Sequence, residues 1–234
     1  MKNVRLQPQK QPVMVATSGG KDATLALHRL RHDARFAEYQ PIGLMTMFDA
    51  NTGRSTAHHI RQNVLQAQAD ALGLELHILT LEDKRGHAYA DYDDKVGQFY
   101  QELVQQGINH VMYGDIHLED VKAYRDNLNQ RHDVQGVYPL WGATTQQVTD
   151  EFLDLGYKTT IVAVDGTRLS SDYLGQIIDT QLLDNLPEGI DRCAEYGEYH
   201  TFCLDGPMFT KAVEIRQGEL WTDGRNNYVD LLLR

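Results

Sequence analysis

The sequence holds only two cysteines, Cys193 and Cys203, and their spacing makes no CxxC pair. Two thiols in 234 residues form no disulfide framework. No apolar run reaches membrane-spanning length, and the start, MKNVRLQPQKQP, lacks the apolar centre of a signal peptide. Together these absences predict a cytoplasmic protein with no membrane partner. Basic residues are in deficit: the formal net charge is -11, which makes a nucleic-acid partner a poor expectation. Internal repeats and low-complexity segments are missing as well. So are the two commonest phosphate-loop patterns, the Walker sequence and GxGxxG. Hydrophobic content of 41% and charged content of 24% are ordinary for a soluble globular chain.

What is present centres on Thr17-Ser18-Gly19-Gly20-Lys21-Asp22-Ala23-Thr24. Val13 to Ala16, just before it, reads as a buried strand. Just after it, Ala23, Ala26, Leu27 and Leu30 recur at helical spacing. A strand that stops at paired glycines and restarts as a helix offers free amides and a positive helix end to an anion. Ser18 adds a hydroxyl and Lys21 a charge; a lysine at a helix start is expected to be exposed.

Along the rest of the chain, residues 1–12 read as a loose polar lead-in, and Ile42–Phe48 as a second buried strand. A loop over Asp49–Ser55 follows, then a helix face of Ile60, Val64, Ala67 and Ala71 ended by Gly73. Leu74–Leu81 is a third strand, Tyr92, Val96, Phe99 and Leu103 a helix face closed by Gly107, and His110–Ile116 a fourth strand. A helix over about 118–128 completes an α/β alternation, which implies a mainly parallel sheet covered on both faces. Past Arg131 the pattern turns mixed. Val148, Phe152 and Leu155 mark a short helix, 160–164 a strand, and Leu174, Ile177, Ile178, Leu182 and Leu186 a longer helix. Short strands are expected at 201–204, 212–215 and 228–233. The predicted division is a nucleotide domain over 1–130 and a smaller α+β substrate domain over 131–234.

A second constellation, Cys193-Ala194-Glu195-Tyr196-Gly197-Glu198-Tyr199-His200-Thr201-Phe202, crowds carboxylates, a phenol, an imidazole and a hydroxyl around one glycine. Together with Ser18-Gly19-Gly20-Lys21-Asp22 and Tyr113-Gly114-Asp115-Ile116-His117-Leu118-Glu119-Asp120, it resembles the diphthine–ammonia ligase family, a branch of the ATP pyrophosphatases. Tyr138-Pro139-Leu140-Trp141-Gly142 and Asp205-Gly206-Pro207-Met208-Phe209 resemble later motifs of that family. The resemblance implies a HUP-type, Rossmann-like α/β fold and ATP-dependent amidation with ammonia. A substrate carboxylate, on a small molecule or a modified residue, is adenylated with release of pyrophosphate; ammonia then displaces AMP. It implies ATP and Mg²⁺ as cofactors and leaves room for a homo-oligomer. Lys21 and Asp22 become the catalytic residues, with Asp22 the metal ligand. Ser18, Gly19, Gly20, Lys21, Asp22, Met47, His58, Gly114 and Asp115 would hold the nucleotide. Glu195, Glu198, Tyr199, His200 and Thr201 would hold the acceptor. Two departures stand out: Ala23 replaces the usual loop serine, and Ala194, Tyr196 and His200 replace a glycine, a glycine and a glutamate of diphthine-specific members, as in a bacterial-type branch. Two rival readings are an ATP or AMP sensor without turnover, which Ala23 favours, and sulfur transfer, which would require a cysteine.

Overall fold

The computed structural model describes residues 10–85 and 88–234. The lead-in expected over residues 1–12 falls mostly outside them, and its last two residues already belong to strand β1 (Gln11–Ala16). The first half continues with α1 (Lys21–His32), β2 (Tyr39–Asp49), β3 (Arg54–Ser55), α2 (Gln62–Leu72) and β4 (Glu75–Leu81). A two-strand ribbon, β5 (Lys84–Arg85) and β6 (Ala88–Tyr89), precedes α3 (Tyr92–Gln105), β7 (His110–Met112), α4 (Glu119–Arg131) and β8 (Gln135–Val137). The parallel order is β4-β2-β1-β7-β8, with β3 folded back antiparallel on the end of β2. Chain order therefore runs one way from β1 through β2 and the other way from β7, so the crevice beside β1 is a topological switch point.

Burial on both faces explains the continuous apolar runs. Val13 and Val15 pack with α1 and Leu44 on one side, while Met14 joins Met45, Val96, Tyr100 and Val111 on the other.

The second half contains α5 (Thr145–Asp154), β9 (Lys158–Asp165), α6 (Thr180–Asp184), β10 (Tyr199–Asp205), β11 (Ile215–Thr222) and β12 (Asn226–Leu233). Its strands form a separate antiparallel sheet, β10-β9-β12-β11. The long helix expected over Leu174–Leu186 is not there. Gly175, at φ +76°, turns the chain, and Gln176–Ile178 then runs extended along β9, with Gly175 N to Ile161 O at 2.8 Å and Ile178 N to Thr159 O at 3.0 Å. Helix starts only after Asp179, whose carboxylate accepts from Leu182 N at 2.7 Å. The apolar residues are still buried at Leu174, Ile178 and Leu182, which is why the spacing mimicked a helix. Similarly, the strand expected over 212–215 begins only at Ile215, and Arg54–Ser55 is strand rather than loop. Ile60 is buried ahead of its helix, not in it.

The two sheets are fastened at the glycine loop. Gly19 O accepts from Cys203 N of β10 at 2.8 Å and from the buried Gln68 side chain at 2.9 Å, and Gln68 also donates to Cys203 O at 2.6 Å. Away from the loop, Asp230 on β12 takes Arg54 at 2.7 Å and Arg61 at 2.6 Å.

Candidate active site

The loop between β1 and α1 is shaped by its glycines. Gly19 sits at φ +81°, and a Cβ there would lie 2.8 Å from the Phe202 ring. Gly20 is the N-cap of α1 and makes no side-chain cap of its own. Three nearby amides are already claimed: Gly19 N by Thr17 Oγ1 at 2.9 Å, Lys21 N by Thr201 Oγ1 at 3.1 Å, and Thr24 N by Gly20 O at 3.1 Å. Between them, the amides of Asp22 and Ala23 have no acceptor among the described residues. Both residues face a cavity of about 430 Å³.

That cavity lies at the carboxyl ends of β1, β2 and β7. Ser18, Asp22, Met47, Gly114, Asp115 and Glu195 line it, so the glycine loop, the end of β2 and the Gly114-Asp115 stretch meet here, and the second constellation joins them. Gly114 has a packing reason to be glycine: a Cβ would stand 2.9 Å from Ala23 N and 3.1 Å from its Cα. The loop over Asp49–Ser55 contributes through Ser55. Asp49 itself is buried, accepting from Asn51 N at 2.7 Å and from the Tyr89 hydroxyl at 2.6 Å.

Lys21 is not exposed, contrary to the usual habit of helix-start lysines. It is 4% accessible, its ammonium donating to Asp22 Oδ2 at 3.0 Å and to the Cys193 carbonyl, 5.8 Å from the Tyr199 ring centroid. Burial works against its charge, but the Asp22 carboxylate, its hydrogen bond and the neighbouring Cys193 and Tyr199 together outweigh that and hold the proton on. Lys21 therefore braces Asp22 from below, and the Cys193 thiol donates to Asp22 Oδ1 at 3.2 Å. Both cysteine thiols are pushed up by burial, Cys203 to about 12, which leaves neither poised as a nucleophile for sulfur transfer.

Asp115 is paired with Arg125 of α4, Nε to Oδ2 at 2.6 Å, and the guanidinium lies 4.6 Å from the Tyr113 ring centroid. Arg125 lines the cavity too, and nothing in the sequence pattern singled it out. Burial, reinforced by the Asp22 charge, pushes Glu195 up to about 7. Among the described residues, no three His, Cys, Asp or Glu side chains are grouped to hold a metal ion on their own.

The remaining expected acceptor residues do not reach this cavity. Glu198 is 0% accessible and accepts from Asp191 N at 3.2 Å and Tyr196 N at 3.1 Å, with Arg168 at 2.9 Å. It is the internal brace of the 191–198 loop. Glu198→Gln, which keeps the shape but loses the charge, will cost about 1–3 kcal/mol of stability, read as a lower denaturation midpoint with unchanged slope. Tyr199 is buried under Lys21 and donates its hydroxyl to Arg192 O. Thr201 is buried and spends its hydroxyl oxygen on Lys21 N. His200 stacks on His58 with ring centroids 4.7 Å apart, and His58 Cε1 lies 2.9 Å from the Cβ position at Gly20. A glutamate-to-histidine exchange at position 200 changes the charge beside the glycine loop.

The sequence matches the diphthamide synthase N-terminal domain over residues 11–135 and the diphthamide synthase C-terminal domain over 144–232. The chain belongs to the diphthamide synthase family. A zebrafish (Danio rerio) diphthine–ammonia ligase is 31% identical over 161 residues, which span 63% of each chain. The mouse (Mus musculus) diphthine–ammonia ligase is 25% identical over 233 residues, covering 88% of this chain and 84% of that one. A solved structure described as a predicted subunit of tRNA methyltransferase from Methanocaldococcus jannaschii covers 84% of this chain and 98% of its own, with 15% identity and a TM-score of 0.45. That likeness is too distant to bear on the chemistry.

Family membership sharpens the question of Ala23, the position where a serine is usual. Thr24 cannot substitute, because it is buried and its hydroxyl donates to Gly20 O at 2.9 Å. Thr17 can: it lines the cavity and its oxygen accepts Gly19 N, leaving the hydroxyl proton free to donate. Ala23→Ser adds a second hydroxyl beside that of Thr17 and will tighten ATP by about tenfold, the worth of one hydrogen bond to a charged partner. Calorimetry on the two proteins measures this directly, and equal affinities would mean that Thr17 already fills the role.

Proposed function

We propose that the chain is an ATP-dependent ligase that forms an amide from a carboxylate and ammonia. The observation that carries this reading is the start of α1, where the amides of Asp22 and Ala23 have no acceptor among the described residues and both residues line the cavity at the switch point of the sheet. Together with the Ser18 hydroxyl they suit the β- and γ-phosphates of ATP, and they stabilise charge that develops as pyrophosphate departs. In that reaction a carboxylate oxygen attacks the α-phosphorus and the bond to the β-phosphate oxygen breaks. Ammonia nitrogen then attacks the acyl carbon, the carbon–oxygen bond to AMP breaks, and the nitrogen sheds a proton to water.

Each residue's task follows from its position. Lys21 keeps Asp22 oriented from below, and Asp22 presents its partly exposed carboxylate to the cavity. Mg²⁺ favours one or two carboxylates plus phosphate oxygens, so Asp22 is the residue to hold it, and the ion would supply charge against the phosphates. Met47 and Gly114 shape the nucleotide's side of the cavity. Arg125 fixes Asp115 at the strand end. Glu195, whose proton is exchangeable near neutral pH, faces the acceptor and ammonia from the second half of the chain. Residues 1–130 thus supply the nucleotide site and 131–234 the acceptor wall.

The test is product analysis by phosphorus NMR with ATP, Mg²⁺, ammonium and either a diphthine-bearing protein or a panel of small carboxylates. AMP and pyrophosphate, formed only when a carboxylate is present, are the expected products. Release of ADP and orthophosphate, or ATP binding with no acceptor-dependent turnover, would contradict the proposal.

A further inference from the structure

Two imidazoles stand beside the lining of the cavity, His58, which the resemblance counts with the nucleotide residues, and His200, which it counts with the acceptor. His58 and His200 come from opposite halves of the chain and stack with ring centroids 4.7 Å apart and planes tilted by 31°. His58 is fixed by its Nδ1, which donates to Thr201 O at 2.9 Å. Its Nε2 and both nitrogens of His200 have no partner among the described residues. The pair lies against the glycine loop: a point 2.9 Å from His58 Cε1, the Cβ position at Gly20, is also 3.3 Å from Ser18 Oγ. The imidazoles and the Ser18 hydroxyl therefore gather on one side of the loop.

We propose that His58 and His200 form a second anion-holding wall for pyrophosphate, and that the pair takes up a proton from solvent when pyrophosphate arrives. This rests on reading the loop as the pyrophosphate holder and adds its missing side. With Nδ1 committed to Thr201 O, His58 can donate to a phosphate oxygen only by gaining a proton on Nε2. His200 is free to donate from either nitrogen. Both rings are neutral beforehand. Burial, with His200 beside it, holds His58 well below the usual imidazole range, and burial, with Lys21 beside it, brings His200 down to about 4. The charged groups facing them are Lys21 and Asp22 of α1, and His59 is the neighbouring imidazole. An incoming polyanion reverses that balance and raises the imidazole proton affinity. A glutamate at position 200 would add a negative charge and oppose the same anion, so this wall is tied to the residue by which the chain departs from diphthine-specific sequences.

The experiment is calorimetric titration of inorganic pyrophosphate into the protein, in two buffers of different ionisation heat, at several pH values between 6 and 8. Pyrophosphate brings its own protons equally to every variant, so the reading is the difference between wild type and His200→Gln. The proposal expects wild type to take up more protons per pyrophosphate, and its affinity advantage over the variant to grow as pH falls, by up to tenfold per pH unit for one proton. At pH 7, His200→Gln should bind about tenfold more weakly, and His200→Glu more weakly still. His58→Gln, which keeps a donor to Thr201 O, should reproduce the loss if His200→Gln proves poorly folded by circular dichroism. Equal proton uptake and affinity in wild type and folded variants would overturn the pair while leaving the loop standing. Failure of wild type to bind pyrophosphate at all would overturn the loop reading, and the pair with it.

Discussion

Lys21→Ala will abolish measurable ATP binding and also lower stability, by about 2–3 kcal/mol. The stability loss follows from burial. The substitution leaves the Cys193 carbonyl and the Asp22 carboxylate without their shared partner, and uncompensated buried charge is costly. The figure sits below the usual range for fully buried pairs because the Asp22 side chain keeps 32% of its surface in solvent. The binding loss comes from Asp22 losing its brace at the mouth of the phosphate site. An exposed lysine acting as a simple counter-charge would behave differently, losing affinity with no change in denaturation midpoint. Paired calorimetry and chemical denaturation separate the two. Unchanged ATP affinity in a folded Lys21→Ala protein would remove the loop from the account.

Arg125→Met should be the most damaging change on the other wall of the cavity, costing about 3 kcal/mol. Methionine fills much the same space, so packing is largely kept, but Asp115, with its side chain 14% accessible, would be left facing its former partner's site uncompensated. Loss of the cation over the Tyr113 ring adds to this. The double variant Arg125→Met with Asp115→Asn is the control: removing both charges should recover most of the stability lost in the single variant. Denaturation of all four proteins checks it, and additive losses would show that the two side chains do not act as a pair.

The nucleotide half was legible in the sequence because its signals are local. Val13 to Ala16, the paired glycines, and Ala23, Ala26, Leu27 and Leu30 state strand, turn and helix within eighteen residues of chain, and each is where the pattern put it. Strand ends that face the same way then converge by topology alone, which brought Gly114 and Asp115 to Ser18. Direction of side chains was not legible. Glu195 and Glu198 are three residues apart in one acidic motif, yet one lines the cavity and the other is the loop's internal brace. Only the turn at Ala194, φ +56°, and Gly197, φ +78°, decides between them, and no periodicity reports it. Lys21 was misjudged for a related reason: its burial is created by Cys193 and Tyr199, more than 170 residues away. The edge strand Ile215–Thr222 is expected too early, at 212–215, because its true span is mostly exposed and polar, with Leu220 64% accessible. Arg125 looked like any charged residue on a polar helix face until Asp115 was placed opposite it.

The central claim is that the amides of Asp22 and Ala23 hold the polyphosphate end of ATP at the switch point beside β1. The measurement that meets it most directly is a crystal structure with Mg²⁺ and an ATP analogue that cannot be cleaved between its α and β phosphates. The account predicts β- or γ-phosphate oxygens within hydrogen-bond distance of both amides and of Ser18 Oγ, with the α-phosphate turned toward Glu195. A triphosphate seated elsewhere on the chain, with those two amides still unclaimed, would contradict it.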